Sequence, residues 1–171
     1  AGIARVTNIT VPSDDTYNIG DELFFTLVFD KEVTVTGEPK LDIQLASHPS
    51  GTILANYISG SDSNELIFRY QVQSGELDLD GIQIGDLINL DNGTIIAANT
   101  IAAQLNIASP ILAIDTSSIL IDAAKASVIS VTPPSDNNYL TGSFLDFTVH
   151  FSKPVLISNS PRLIFDIGGV T

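Results

Sequence analysis

Glu22-Leu23-Phe24-Phe25-Thr26-Leu27-Val28-Phe29-Asp30 carries the decisive pattern: Leu23, Phe25, Leu27 and Phe29 recur at every second position, between Glu22, Phe24, Thr26, Val28 and Asp30. Side chains alternate across a strand, so this spacing sends one apolar row into a core. A helix would scatter the same four residues around its circumference. The alternation returns at Leu145, Phe147, Val149 and Phe151, opposed by Asp146, Thr148, His150 and Ser152. A third row is Leu66, Phe68, Tyr70 and Val72, opposed by Ile67, Arg69, Gln71 and Gln73. Shorter strands are expected at 4–11, 41–46, 52–59, 94–97, 103–107 and 111–114, punctuated by Gly, Pro, Asn, Asp and Ser. Alanines in 97–108 also admit a helical turn there, since alanine is the best helix former. The fold class read from this is all-β, a Greek-key sandwich.

The 171 residues are 44% apolar, enough to fill a core, and suit one domain with part of another or two small ones. No apolar run approaches the roughly 20 residues that cross a bilayer as a helix. The N-terminal Ala-Gly-Ile-Ala-Arg has no secretory-signal pattern, so the chain reads as an internal segment. Cysteine is absent, which excludes disulfide staples and thiolate chemistry. Seven basic against twenty acidic residues give a formal charge of −13, opposite to what binds a phosphate backbone or an anionic lipid surface. Neither nucleic acid nor membrane insertion is expected. The same charge attracts divalent cations, and oxygen-rich sites favour calcium.

A repeat organises the chain. Shifted by 122 residues, Val6-Thr7-Asn8-Ile9-Thr10-Val11-Pro12-Ser13-Asp14-Asp15-Thr16-Tyr17 meets Val128-Ile129-Ser130-Val131-Thr132-Pro133-Pro134-Ser135-Asp136-Asn137-Asn138-Tyr139. Without a gap, Gly20 then meets Gly142, Leu23 Leu145, Phe25 Phe147, Phe29 Phe151, Lys31 Lys153, Val33 Val155, Pro39 Pro161 and Leu41 Leu163. Over positions 6 to 45 there are 15 identities in 40. A period near 120 residues suits a whole sandwich domain per copy. The expected domains are therefore 1–122, a complete repeat, and 123–171, the first strands of a second. The shorter piece cannot bury both faces of a core alone, so it is expected to dock on the first repeat, pair with another chain, or be completed by further sequence.

Several phrases in order resemble the immunoglobulin-like (cadherin-like) tandem repeats of large bacterial adhesins and other secreted surface proteins. They are Tyr17-Asn18-Ile19-Gly20-Asp21, Phe25-Thr26-Leu27-Val28-Phe29, Val33-Thr34-Val35-Thr36-Gly37, Ala55-Asn56-Tyr57-Ile58-Ser59-Gly60-Ser61, Leu66-Ile67-Phe68-Arg69-Tyr70-Gln71-Val72, Asp78-Leu79-Asp80-Gly81-Ile82, Asn92-Gly93-Thr94-Ile95 and Ile114-Asp115-Thr116. The resemblance implies an immunoglobulin-like spacer module at the bacterial cell surface, neighbouring like repeats and often stiffened by calcium at the junctions. One departure is Ile96-Ala97-Ala98-Asn99-Thr100, which lacks the acid and glycine the family carries there.

Candidate chemistry is sparse. Glu76-Leu77-Asp78-Leu79-Asp80-Gly81 opens like an EF-hand loop, yet its twelfth position is Leu87 in place of the bidentate glutamate. It reads either as a calcium-binding loop through Glu76, Asp78 and Asp80 or as a solvated strand edge guarded by charge. At the junction, Asp115, Asp122 and Asp136, with Asp14 as the equivalent of Asp136, could ligate calcium. The competing reading makes Pro12-Ser13-Asp14 and Pro134-Ser135-Asp136 plain turns. His48 and His150 have no partner at ligand spacing, and no nucleophile elbow, phosphate loop or zinc helix occurs. Asn8-Ile9-Thr10 and Asn92-Gly93-Thr94 match the glycosylation acceptor pattern by chance, and equivalent Lys31 and Lys153 raise an isopeptide bond only weakly. No enzyme is expected. The alternative to a spacer is a carbohydrate- or peptide-binding sandwich, homophilic contact included, with Tyr17, Tyr57 and Tyr139 as its aromatic candidates.

Overall fold

A computed structural model describes residues 2–46, 48, 51–97, 101–107, 112, 114–164, 166 and 168. The Leu23–Phe29 alternation lies in a single 15-residue strand, β3 (Glu22–Thr36), whose Leu23, Phe25, Leu27, Phe29 and Val33 are all buried. The other strands are β1 (Val6–Thr10), β2 (Asp15–Tyr17), β4 (Lys40–Gln44), β5 (Thr52–Ser59), β6 (Ser63–Gln71), β7 (Leu77–Asp78), β8 (Gln83–Asn89), β9 (Thr94–Ala97), β10 (Ile101–Ala102), β11 (Ile119–Asp122), β12 (Val128–Thr132) and β13 (Thr148–Phe151). Among the described residues no helix forms, and the chain is all-β and sandwich-like. It divides into two compact units, Ala1–Ala124 and Lys125–Thr171.

Among the described residues the first unit holds two sheets. In the larger, the order is β10-β9-β3-β6-β5-β4-β8, with β1 also on β3. β6 occupies one edge of β3 in a register that sets Phe25 opposite Phe68 and Leu27 opposite Leu66. β1 takes the other edge over Thr26–Phe29 and β9 takes it over Val33–Thr36, either side of a break in the ladder. The smaller sheet is β2-β11-β7, in which β11 runs parallel to β2 and antiparallel to β7. The incoming strand therefore switches sheets between Thr10 and Asp15, across Pro12, which has no N–H to give a ladder. Inward rows from the larger sheet pack with Ile119 and Ile121 of β11 in one core. Each such large apolar side chain contributes about 1.5–3 kcal/mol on burial.

The two ends of this unit lie far apart. On the incoming side, Asp30 N–H donates to Arg5 O at 2.9 Å, Arg5 N–H donates to Asp30 Oδ1 at 2.8 Å, and Gln104 N–H donates to Ala4 O at 2.9 Å. On the outgoing side, Ala123 N–H donates to Glu76 O at 2.9 Å and Gly75 N–H donates to Ala123 O at 2.8 Å. That outgoing loop follows Val72, which is tied to the start of β3 through Val72 N–H to Asp21 O and Gly20 N–H to Val72 O, both 2.9 Å. Asp21 and Asp30 are nine residues apart along extended chain, about 30 Å at about 3.3 Å per residue. The chain enters beside Asp30, just past the middle of β3, and leaves beside Asp21, at its start.

Among the described residues the second unit carries one two-stranded sheet, β12 antiparallel to β13. Its register repeats that of β1 on β3, shifted by 122 residues: Val6↔Phe29 becomes Val128↔Phe151, Ile9↔Leu27 becomes Val131↔Val149, and Thr10↔Thr26 becomes Thr132↔Thr148. The ladder irregularity between Val6 and Asn8 returns between Val128 and Ser130. Smaller devices repeat too. Tyr17 Oη donates to Ser13 O at 3.0 Å, and Tyr139 Oη donates to Ser135 O at 2.7 Å. Gly20 and Gly142 share positive φ values of 89° and 91°, which a side chain would resist. Asp30 N–H to Arg5 O corresponds to Ser152 N–H to Ser127 O, both 2.9 Å.

Some sequence expectations change. The run 111–114 is no strand at its described residues, Leu112 and Ile114; the strand on that side is Ile119–Asp122, which needs β2 and β7 as neighbours. Residues 103–107 form only isolated bridges at Gln104 and Asn106. β8, absent from the expected strands, pairs with β4 despite Gly85 and Asp86, because the ladder shifts register between Leu41 and Ile43. Of the segment 97–108, where a helical turn was the alternative to strand, residues 98–100 and 108 lie outside the described residues, and Ile101–Ala102 is strand.

Candidate functional site

The acidic segment after β6 was read as a calcium loop or a solvated edge. For Glu76 and Asp78 the solvated edge is wrong: they are 5% and 3% exposed, while the neighbouring Leu79 is 60% exposed. Acid faces in and leucine faces out, because the carboxylates have partners within the chain. Tyr70 Oη donates to Glu76 Oε1, and Gln73 N–H donates to Glu76 Oε2 at 2.8 Å. A buried charge without partners costs several kcal/mol, and charge-assisted hydrogen bonds offset that cost. Glu76 also grips the outgoing chain through its main-chain oxygen, which accepts from Ala123 N–H. The side chain thus braces the loop from which the polypeptide leaves.

Asp78 does the same one step along. Its Oδ2 accepts from Ala46 N–H at 2.9 Å and its Oδ1 from Asp80 N–H at 3.4 Å, while its main chain faces Ile121 in β11. Gly81 follows with φ of 101°, and a Cβ there would lie 2.5 Å from Ser117 Cα. The Asp-Gly pair is therefore explained by a backbone crossing that admits no side chain. Thr116, buried beneath it, donates its hydroxyl to Ile82 O. A shallow pocket of about 210 Å³ opens alongside, lined by Gln44, Ala46, Asp78, Asp80 and Gly81.

Within the first unit, Asp14, Asp115 and Asp122 do not all lie at one end of the small sheet. Parallel pairing sets Asp15 beside Ile119 and Tyr17 beside Ile121, so Asp14 and Asp115 belong to the beginning of this ladder and Asp122 to its end. Asp14 and Asp122 are about four residues, roughly 13 Å, apart along the strands. Asp115 is exposed and accepts from Ser117 Oγ at 2.7 Å and Ser117 N–H at 3.0 Å, bonds that hold its carboxyl below the usual range. Asp14 and Asp136 are exposed, and Asp136 belongs to the second unit. Among the described residues no group of three or more Asp, Glu or His side chains is arranged to hold a metal ion.

Against known protein families, curated proteins and solved structures, the chain has no match. The site must be read from its own geometry.

The aromatic candidates serve as struts. Tyr17 and Tyr139 close the corner turns described above. Tyr57 accepts Ser61 N–H at 2.7 Å through its hydroxyl and sets its ring edge-on to Phe68, with centroids 5.8 Å apart. Lys31 Nζ lies 2.7 Å from Asp30 Oδ2 in an exposed ion pair. His150 Nε2 lies 3.1 Å from Thr132 Oγ1 across the β12–β13 ladder.

The residues sequence reasoning missed are the donors to the buried acids: Tyr70, Gln73 and Ala46. One signal was present, since Tyr70 sits on the inward parity of β6 with a hydroxyl that needs an acceptor. Burial, then the hydrogen bond to the Glu76 carboxylate, raise the Tyr70 phenol above its ordinary value of 10.0. A raised folded-state pKa favours the protonated form, so its stabilisation is complete below pH 10 or so and is lost as pH rises beyond it. Denaturation curves are expected to be flat in pH from about 7 to 9.5 with respect to this group and to fall above about 10. In Tyr70→Phe that alkaline fall should be weaker, and ultraviolet titration should show one phenol fewer among the four tyrosines titrating late.

Proposed function

We propose that this chain is a structural spacer from a large bacterial cell-surface or secreted adhesin, built of immunoglobulin-like Greek-key sandwiches strung in tandem. The observation that carries the reading is the placement of the incoming chain beside Asp30 and of the outgoing loop beside Asp21, about 30 Å apart along β3. A module entered at one end and left at the other gains length with each copy, whereas one whose ends meet would not. The bond-for-bond recurrence of the incoming segment 122 residues later supports the same reading, because the second module starts as the first does. Splitting of the incoming strand between β3 and β11 supports an immunoglobulin-like arrangement. The partners in this reading are neighbouring repeats of the same polypeptide.

Calcium enters the proposal through the exposed acids Asp14, Asp80, Asp115 and Asp136 and the half-buried Asp122, supplemented by main-chain oxygens. Glu76 and Asp78 serve the fold. A concatemer of the 122-residue repeat is expected to lengthen by about 30 Å or more per added copy in small-angle scattering; growth as a compact globule would refute the spacer. The same array tests the ion. A single site held at a hundred times its Kd stabilises by about 2.7 kcal/mol, so EDTA is expected to lower Tm by about 5 °C or more. An unchanged Tm would remove calcium and leave the spacer standing.

A further inference from the structure

The turn Leu90-Asp91-Asn92-Gly93, between β8 and β9, holds the only Asn-Gly pair of the sequence. Asp91 and Asn92 lie at φ of 43° and 65°, and Gly93 N–H donates to Leu90 O at 2.7 Å, the geometry of a type I′ turn. Asparagine tolerates the left-handed region better than most side chains, which accounts for position 92. Glycine at 93 is dictated by contact: a Cβ there would lie 2.2 Å from Thr36 O, and one on Gly37 would lie 2.7 Å from Gly93 Cα. The turn is pinned around that contact. Asp91 N–H donates to Asn89 Oδ1 at 3.0 Å, Lys40 Nζ pairs with the Asp91 carboxylate, and Thr36 Oγ1 lies 2.7 Å from Thr94 Oγ1.

We propose that Asn92 is a modification site that the folded turn keeps closed: opening of Leu90–Gly93 commits the Asn92 amide to deamidation through a cyclic imide. An asparagine followed by glycine is the reactive pairing, because glycine puts no side chain in the way of its own nitrogen. Gly93 N loses its proton and bonds to Asn92 Cγ, and the side-chain nitrogen takes up a proton and leaves as ammonia. Water then opens the imide at either carbonyl, which gives aspartate or isoaspartate. In the folded turn the Gly93 nitrogen is committed to Leu90 O, and its residue is wedged against the main chain of Thr36 and Gly37, so it does not swing onto Asn92 Cγ. The exposed Asn92 side chain is otherwise open to solvent. Isoaspartate carries the main chain through the former side chain, lengthens it, and cannot remake the turn. The modification is therefore a permanent mark of opening. The inference needs only the geometry of this turn, and it stands or falls apart from the spacer reading.

The experiment incubates the full chain at neutral pH in native buffer and in guanidinium chloride sufficient to unfold it. Deamidation at position 92 is read by peptide mass mapping, and isoaspartate by enzymatic methyl transfer. The folded chain is expected to deamidate there at least about tenfold more slowly than the unfolded chain, because the rate follows the population of the open turn. Exchange of the Gly93 amide hydrogen should report the same opening. Lys40→Ala releases Asp91 from a partly exposed ion pair, so it should fold normally and raise both rates by about threefold. The proposal is overturned by equal deamidation in folded and unfolded chain, by none at position 92 in the unfolded chain, or by a Lys40→Ala chain whose Gly93 exchange rises while its deamidation does not.

Discussion

Phe68→Ala is expected to lower the unfolding free energy by about 3–5 kcal/mol, read as a drop in urea midpoint with an unchanged m-value. Phe68 is fully buried in β6 and faces Phe25 across the central ladder, with Tyr57 against its edge. Truncation removes the transfer energy of the ring and leaves a void between strands that β5 and β3 hold apart. Phe144→Ala, in contrast, should shift stability by less than about 0.5 kcal/mol, since that side chain is 88% exposed. Equal losses at the two positions would mean that the sheet around β3 is packed otherwise than described.

Glu76→Ala should cost about 2–5 kcal/mol, because it strands two donors at once, the Tyr70 hydroxyl and the Gln73 N–H, each worth about 1–3 kcal/mol when left unsatisfied. Glu76→Gln should cost less, since its amide oxygen still accepts one of the two. In a double-mutant cycle, Tyr70→Phe and Glu76→Ala should be clearly non-additive, as expected of groups sharing one bond. The loss should be the same with calcium or with EDTA. A loss seen only in calcium would make Glu76 a ligand and overturn its assignment as an internal brace.

The contrast between these residues shows what a sequence can disclose. β3 and β6 were legible because each buries one face and exposes the other, so period-2 spacing records the outcome directly. The repeat was legible for a related reason: like side chains 122 residues apart adopt like registers, down to the tyrosine that closes each corner. β11 is absent from the expected strands, which had 111–114 nearby, because both runs are short and apolar and the partners that mark Ile119–Asp122 as strand, Asp15–Tyr17 and Leu77–Asp78, are distant in sequence. β8 escaped notice because Gly85 and Asp86 interrupt its alternation, while Asp42 stands close enough that a Cβ on Gly85 would lie 2.9 Å from its own.

The acidic loop was the hardest part to read. Alternating Leu77 and Leu79 suggested apolar side chains inward and acids outward, yet Asp78 is buried and Leu79 exposed. What inverts the pattern is the supply of donors from Tyr70, Gln73 and Ala46, fixed by tertiary structure and invisible in the segment itself. A buried carboxylate is set by its partners, so its orientation cannot follow from the hydropathy of its neighbours.

The most direct test is a distance across the first unit. The chain has no cysteine, so Gly2→Cys and Ser74→Cys give two unique spin-label sites, one beside the incoming chain and one in the loop that grips Ala123. At Gly2 a Cβ would meet only the end of the Lys31 side chain, at 3.8 Å. Pulsed dipolar spectroscopy is expected to give a single distribution centred near 30 Å. A distribution centred below about 20 Å would place both ends of the chain on the same side and contradict a module that spans from one end to the other.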